Sequence, residues 1–376
     1  STTVAAHLCD LATGDVLSSA SVMNPQIPFG EDLMSRVSYI MMHPEGAEAM
    51  SSVIRTALSK LFAELTYQLG ETTENILEIS LVANPIMHHL VLGINPINLG
   101  GAPFALTIDE AVTLKARDLG LDTHVQARLF VLPCIAGHVG ADTAGVILAE
   151  SPDSDDAMSL IVDVGTNAEI VLGNKDRLLV CSSPTGPAFE GGEISVGQRA
   201  TAGAIERVRI DRETLEPKFR VIGSELWSND EWFAKSAKEL NITGICGSGI
   251  IEVVAEMFLA GIISKDGIID GALAERTSRV RSHGRTWSYT LHFTKDESQR
   301  DIVITQNDVR QIQLAKAALY AGIKLLMDKM GVSKVDRIRL AGAFGSHLSV
   351  QHAMVLGLIP DCSLDHVSSA GNAAGV

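Results

Sequence analysis

Asp163 stands in an apolar run, Leu160-Ile161-Val162-Asp163-Val164, directly ahead of Gly165-Thr166-Asn167. An ionised carboxylate in such a run is costly unless it is paired, hydrogen-bonded or bound to a metal. The turn that follows joins a glycine, a hydroxyl and an amide. Backbone N–H groups in a turn of this kind can cradle an anion, and glycine lets a phosphate approach the main chain. The acid would then hold Mg²⁺, or the water of that ion, beside the phosphate. Residues 159–164 and 168–172 read as the two strands of a hairpin around this turn, with Gly173-Asn174 as the next turn signal. A plain hairpin with a capped aspartate would show the same pattern, so the remaining sequence has to decide.

The elements that must position this hairpin recur along the chain. Ser1-Thr2-Thr3 feeds a strand at 4–8, a turn at Ala12-Thr13-Gly14-Asp15 and a strand at 16–22. Gly165-Thr166-Asn167 feeds a strand, a turn at Gly173-Asn174-Lys175-Asp176 and a strand at 177–182. A helical pattern at 47–69 leads through Gly70 into a strand at 76–82 and then Asn84-Pro85-Ile86-Met87-His88-His89-Leu90. Another, at 308–330, leads through Gly331 into a strand at 337–340 and then Ala341-Gly342-Ala343-Phe344-Gly345. Small-residue helices, at 137–148 and 370–376, close each series. Three matched blocks in one order indicate an internal duplication, residues 1–150 and 151–376. The first copy begins inside its own turn. An upstream strand carrying an acid like Asp163 is therefore expected, and the sequence reads as a piece clipped at both ends.

Insertions separate the blocks. Residues 25–44 read as irregular, either a partner face or a lid on their own lobe. The insertion at 186–306 carries Gly186-Pro187-Ala188-Phe189-Glu190-Gly191-Gly192 and a helical reading for 201–208. It also carries Gly244-Ile245-Cys246-Gly247-Ser248-Gly249, which opens a helix at 248–260, and a hairpin reading for 285–304.

Composition bounds the rest. At 376 residues two domains are the prior, and 46% apolar with 5% aromatic residues suits an α/β protein. A net charge of −15 argues against nucleic-acid or anionic-membrane partners. No apolar run reaches the roughly 20 residues of a membrane helix. Five scattered cysteines show no zinc or iron–sulfur spacing and suit reduced thiols in the cytoplasm. His88 and His89 diverge by about 100° on a helix, so packing or partner contact is preferred to a shared metal.

The order hairpin, crossing helix, Asp-x-Gly-Thr hairpin, Ala-Gly-Ala-Phe-Gly, crossing helix resembles the superfamily of actin, sugar kinases and chaperone ATPases. Within it, the stretches at 162–169, 186–192, 244–249, 340–345 and 84–90 resemble the ATPase domain of the reductive activators of corrinoid proteins, across nearly the whole chain. The resemblance implies a duplicated actin-like (ribonuclease H-like) α/β fold, two lobes with a nucleotide cleft between them. It implies ATP and Mg²⁺ as cofactors, a corrinoid protein as partner and a homodimer. ATP would drive an electron from a 2Fe–2S cluster, on a domain upstream, to a Co(II) corrinoid. The nucleotide contacts it implies are Ser1, Thr2, Thr3, Gly165, Thr166, Asn167, Glu190, Gly191, Gly192, Gly247, Ser248, Gly342, Ala343 and Gly345. Asp163 is the metal and catalytic acid. Asp142 is a second catalytic acid or else a solvated helix residue. At the first phosphate loop the family pattern is Asp-x-Gly-Ser/Thr-Thr-Thr, of which only Ser1-Thr2-Thr3 stand here. A small-molecule kinase or a conformational, chaperone-type ATPase on the same fold is the alternative; no stretch supplies both a kinase base and a sugar pocket.

Overall fold

A computed structural model describes residues 3–233, 235, 240–294, 300–371 and 373–375. The chain divides into two compact units, one of Ser1–Ser151 with Asn372–Val376, the other Pro152–Gly371.

In the first unit, β1 (Thr3–Cys9) and β2 (Val16–Met23) form an antiparallel hairpin. Its turn is set by Asp10, whose carboxylate accepts from the N–H groups of Ala12 (2.7 Å) and Thr13 (3.1 Å). α1 (Leu33–Met42) and α2 (Gly46–Tyr67) follow. α2 buries Met50, Ile54, Leu58, Leu61 and Leu65, the spacing of one helix face. β3 (Glu78–Leu81) leads into α3 (Pro85–Leu92). Asn84 caps α3 by accepting from the Met87 N–H at 3.1 Å, Pro85 takes the first turn, and Gly93 at φ 77° ends it. β4 (Val112–Lys115) and β5 (Arg128–Val131) complete a three-stranded sheet in the order β3-β5-β4, and α4 (Ala141–Glu150) follows.

The second unit is built on a five-stranded sheet, β15-β14-β6-β7-β8. β6 (Ser159–Val164), β7 (Ala168–Asn174) and β8 (Arg177–Ser183) form an antiparallel meander; β14 (Arg337–Ala341) and β15 (Val367–Gly371) run parallel to β6. β6 is central and covered on both faces, which is why Leu160, Ile161 and Val162 read as a continuous apolar run. β9 (Ile205–Ile210) pairs with β10 (Pro217–Val221), and α5 (Gly247–Leu259) lies along β9. β11 (Val280–His283), β12 (Thr286–His292) and β13 (Ile302–Thr305) form a third sheet. α6 (Gln306–Met330) packs on β7 and β8, with Gly322 against Ile170 and Cys181. A capping box starts α6: the buried Asp308 carboxylate accepts from the Thr305 N–H (2.8 Å) while the Asp308 N–H reaches the Thr305 hydroxyl. The same carboxylate also takes the Ser195 N–H and hydroxyl, at 2.8 and 2.7 Å.

Three expectations are corrected and a fourth is extended. Residues 25–44 are not irregular: they hold α1, started by a capping box between Asp32 and Ser35. That segment turns inward, burying Gln26, Arg36, Val37 and Ile40. Burial pushes the Arg36 guanidinium down to about 10, with Asp32 opposing the shift. Residues 201–208 form no helix; 205–210 are β9. The closing helices are shorter than read. Residues 135–139 make a tight turn ahead of α4, and 370–371 belong to β15, followed by a single 3-10 turn, Ala373–Gly375. The 285–304 hairpin exists as β12 and β13 but carries β11 as a third strand.

Candidate functional site

Asp163 is the penultimate residue of β6 and lies in register with Glu169 on β7 and Ala341 on β14. The sheet thus delivers its carboxylate to the carboxyl ends of two parallel strands, where ligands bind in open α/β sheets. Next to Ala341 comes Gly342, at φ 78°. A methyl group on Gly342 would lie 2.4 Å from Asp163 Oδ1, so the main chain approaches the carboxylate only because that position has no side chain. Gly342→Ala is expected to weaken nucleotide binding about tenfold or more, combining backbone strain with displacement of Asp163. Titration of the variant with a fluorescent ATP analogue checks this, and unchanged affinity would remove Gly342 from the site.

The turn after β6 is held from two sides. The Thr166 hydroxyl donates to Glu190 Oε1 at 3.0 Å. Thr185, buried at the end of the meander, places its hydroxyl 3.0 Å from the Gly165 carbonyl and 3.1 Å from that of Thr166. Inside the turn, the Gly165 N–H donates to the Asn167 carbonyl at 2.9 Å. Glu190 ends a 3-10 turn, Pro187–Glu190, against which α5 packs. Gly191 at φ 90° and Gly192 close that segment against Gln198 and Pro187.

The structure therefore brings Asp163, Gly165, Thr166, Asn167, Glu190 and Gly342 into one constellation. Gly247 and Ser248 open α5. Ser248 is buried, and its hydroxyl faces the Glu206 carbonyl and Cys246 Sγ, both at 3.3 Å. Gly345 lies where a methyl group would stand 2.8 Å from the Leu340 carbonyl, which lets α7 (Gly342–His347) fold back on β14. Ala343 belongs to α7, and its side chain lies outside the described part of the structure. Thr3 opens β1 opposite Met23. Ser1 and Thr2 lie outside the described residues.

Asp142 belongs to the first unit. It is the second residue of α4, and its Oδ1 accepts from the Thr143 N–H at 2.8 Å. The N–H groups of Ala141 and Asp142 reach the Ala83 carbonyl, so α4 starts beside the Asn84 cap at the end of β3. Burial raises the Asp142 pKa, with the Thr143 N–H opposing the shift. Nearby, burial pushes the Cys134 thiol up to about 12, with the Asp142 charge adding to the shift. This thiol is a packing group and not a nucleophile.

The side chains that the strand end and its turn carry are oxygen donors: the Asp163 carboxylate, the Thr166 hydroxyl and, bonded to that hydroxyl, the Glu190 carboxylate. No group of three or more His, Cys, Asp or Glu residues among those described is arranged to hold a metal by itself. One or two carboxylates with phosphate oxygens is the pattern that suits Mg²⁺. Among the described residues no helix is long and apolar enough to cross a membrane.

The central mixed sheet with a carboxylate before its first turn is the arrangement expected of an actin-like domain. Comparison with known families narrows this. Residues 157–376 match the C-terminal domain of RACo, the ASKHA domain, and residues 1–154 match the RACo middle region. The chain belongs to that family, the reductive activators of corrinoid proteins. It is similar to the corrinoid activation enzyme RamQ of Eubacterium limosum, 34% identical over 382 residues, covering 100% of this chain and 61% of RamQ. It is 25% identical over 370 residues to a Co(II) methylated amine-specific corrinoid protein reductase of Methanosarcina barkeri, covering 94% of this chain and 63% of that protein. A solved structure, a reductive activator for corrinoid, iron-sulfur protein, superposes with a TM-score of 0.81 at 32% identity, covering 100% of this chain and 57% of that one. The chain thus spans about six-tenths of the length of these relatives.

Proposed function

We propose that this chain is the ATP-hydrolysing part of a reductive activator that acts on a corrinoid protein. The reading rests on the family match, together with the constellation of Asp163, Thr166, Glu190 and Gly342. ATP and water would be converted to ADP and phosphate. Coupled to that, one electron would pass from a reduced 2Fe–2S cluster, which these residues do not hold, to Co(II), giving Co(I). Asp163 would hold Mg²⁺ or its bound water, and the ion would screen phosphate charge. The turn 165–167 would bind phosphate through backbone N–H groups, and Gly342 would leave the main chain open to the nucleotide. Asp142 would accept a proton from water. Such coupling requires that ATP, ADP and the partner bind the protein's states with different affinity. In the cell we place the protein in the cytoplasm as a homodimer, which light scattering of the purified protein would check.

The test is ATP turnover with and without a Co(II) corrinoid protein. Stimulation specific to that protein supports the reading. Phosphate transfer to a metabolite would replace it with a kinase, and turnover indifferent to any corrinoid protein would favour a conformational ATPase.

A further inference from the structure

Thr185 belongs to none of the sequence motifs assigned to the nucleotide, yet it is 5% exposed and its hydroxyl meets two consecutive carbonyls of the phosphate turn. A hydroxyl has one proton, so at 3.0 and 3.1 Å it is shared between the Gly165 and Thr166 oxygens as a three-centre bond. Both peptide units are trans. In a trans peptide the N–H points opposite to the C=O of the same plane. Turning the Gly165 and Thr166 carbonyls toward Thr185 therefore turns the N–H groups of Thr166 and Asn167 away from it, side by side. Neither N–H has a hydrogen-bond partner among the described residues. Two adjacent N–H groups facing one way are the elements of an anion-binding nest.

We propose that Thr185 is a positioning residue: its hydroxyl fixes the two peptide planes so that the Thr166 and Asn167 N–H groups present themselves to a phosphoryl group. The proposal rests on the reading of the turn as a nucleotide site. Glu190 holds the Thr166 side chain and not its peptide, so it cannot substitute. With the shared proton gone, both carbonyls lose a partner and only the Gly165 to Asn167 bond still restrains the two peptides, so the paired donors are less well oriented before the ligand arrives. The loss falls on binding and not on the acid that works at the phosphate.

The experiment compares the unaltered protein with Thr185→Val, which keeps shape and loses the donor, and Thr185→Ser, which keeps the donor. ATP and ADP affinities are measured by calorimetry, with KM and kcat from steady-state turnover. Amide chemical shifts of Thr166 and Asn167 are followed on adding ADP. The expected result is a roughly tenfold rise in KM and Kd for Thr185→Val with kcat within about twofold, near-complete rescue by Thr185→Ser, and ADP-dependent amide shifts that shrink in the Val variant. Equal affinities in the Val variant and the unaltered protein overturn this inference while leaving the nucleotide site intact. A fall in kcat with KM unchanged overturns it as well. If the unaltered protein binds no nucleotide, the functional reading fails and this inference with it. Melting curves guard the comparison: if Thr185→Val unfolds, Thr185→Ala is measured in its place, with the same outcomes deciding.

Discussion

Asp163→Asn is expected to lower ATP turnover at least about a hundredfold while leaving the fold in place, the scale on which loss of one preorganised charge-stabilising group registers. The substitution keeps the size of the side chain and its ability to accept a hydrogen bond, and removes the negative charge. The position of the residue is set by the backbone, through pairing with Ala341 on one side and Glu169 on the other, and neither pairing depends on the carboxylate. A divalent ion held beside phosphate is sensitive to that charge. Turnover is to be measured across Mg²⁺ concentrations alongside a melting curve. A variant that melts normally and hydrolyses ATP at the original rate would sink the assignment of Asp163.

Glu252→Ala is expected to destabilise the second unit by about 3 kcal/mol, through loss of a buried carboxylate that satisfies a backbone N–H and two partly exposed arginines. The Glu252 carboxylate is fully buried. It takes the Arg207 and Arg209 guanidinium groups at 3.0 and 2.6 Å and the backbone N–H of Val208 at 2.8 Å. Alanine leaves that N–H unsatisfied and both arginines without their buried partner. At roughly 2–4 °C per kcal/mol for a unit of this size, the midpoint should fall by about 6–12 °C. Glu252→Gln, which keeps an acceptor for the Val208 N–H, should cost less. A shift under about 2 °C for the alanine variant would show that the network contributes little.

The sequence makes the central hairpin plain because two independent signals coincide there: an unbroken apolar run, which means burial on both faces, and a Gly-Thr-Asn turn interrupting it. The Asn84 and Thr305 caps and the apolar stripes of the long helices α2 and α6 are legible because each is a local signal, a capping residue or a regular apolar spacing. The misreadings are positions where distant partners decide. Residues 201–208 contain Ala202, Ala204, Glu206 and Arg207, which suit a helix, but 205–210 are a strand because β10 pairs with them and α5 supplies acceptors along the other side. Residues 25–44 carry Pro25, Pro28, Gly30 and Pro44, which mask the Asp32 and Ser35 box and the spacing of Leu33, Val37 and Ile40. Residues 370–371 consist of small residues compatible with either state, and pairing with β14 makes them strand. Thr185 could not be found locally at all, since its partners lie 19 and 20 residues earlier in the chain.

The two glutamates of α5 do more than satisfy arginines. Glu252 and Glu256 take the N–H groups of Val208 and Ile210, on the side of β9 away from β10. A strand with such groups unpaired is a template on which another polypeptide can add itself. Here each of those donors already ends on a carboxylate oxygen projecting from a helix, and a carboxylate offers no hydrogen to continue the ladder. The border of β9 is thereby closed to self-association by carboxylates at 208 and 210 and, at Ile205, by the backbone of Gly244 and Cys246.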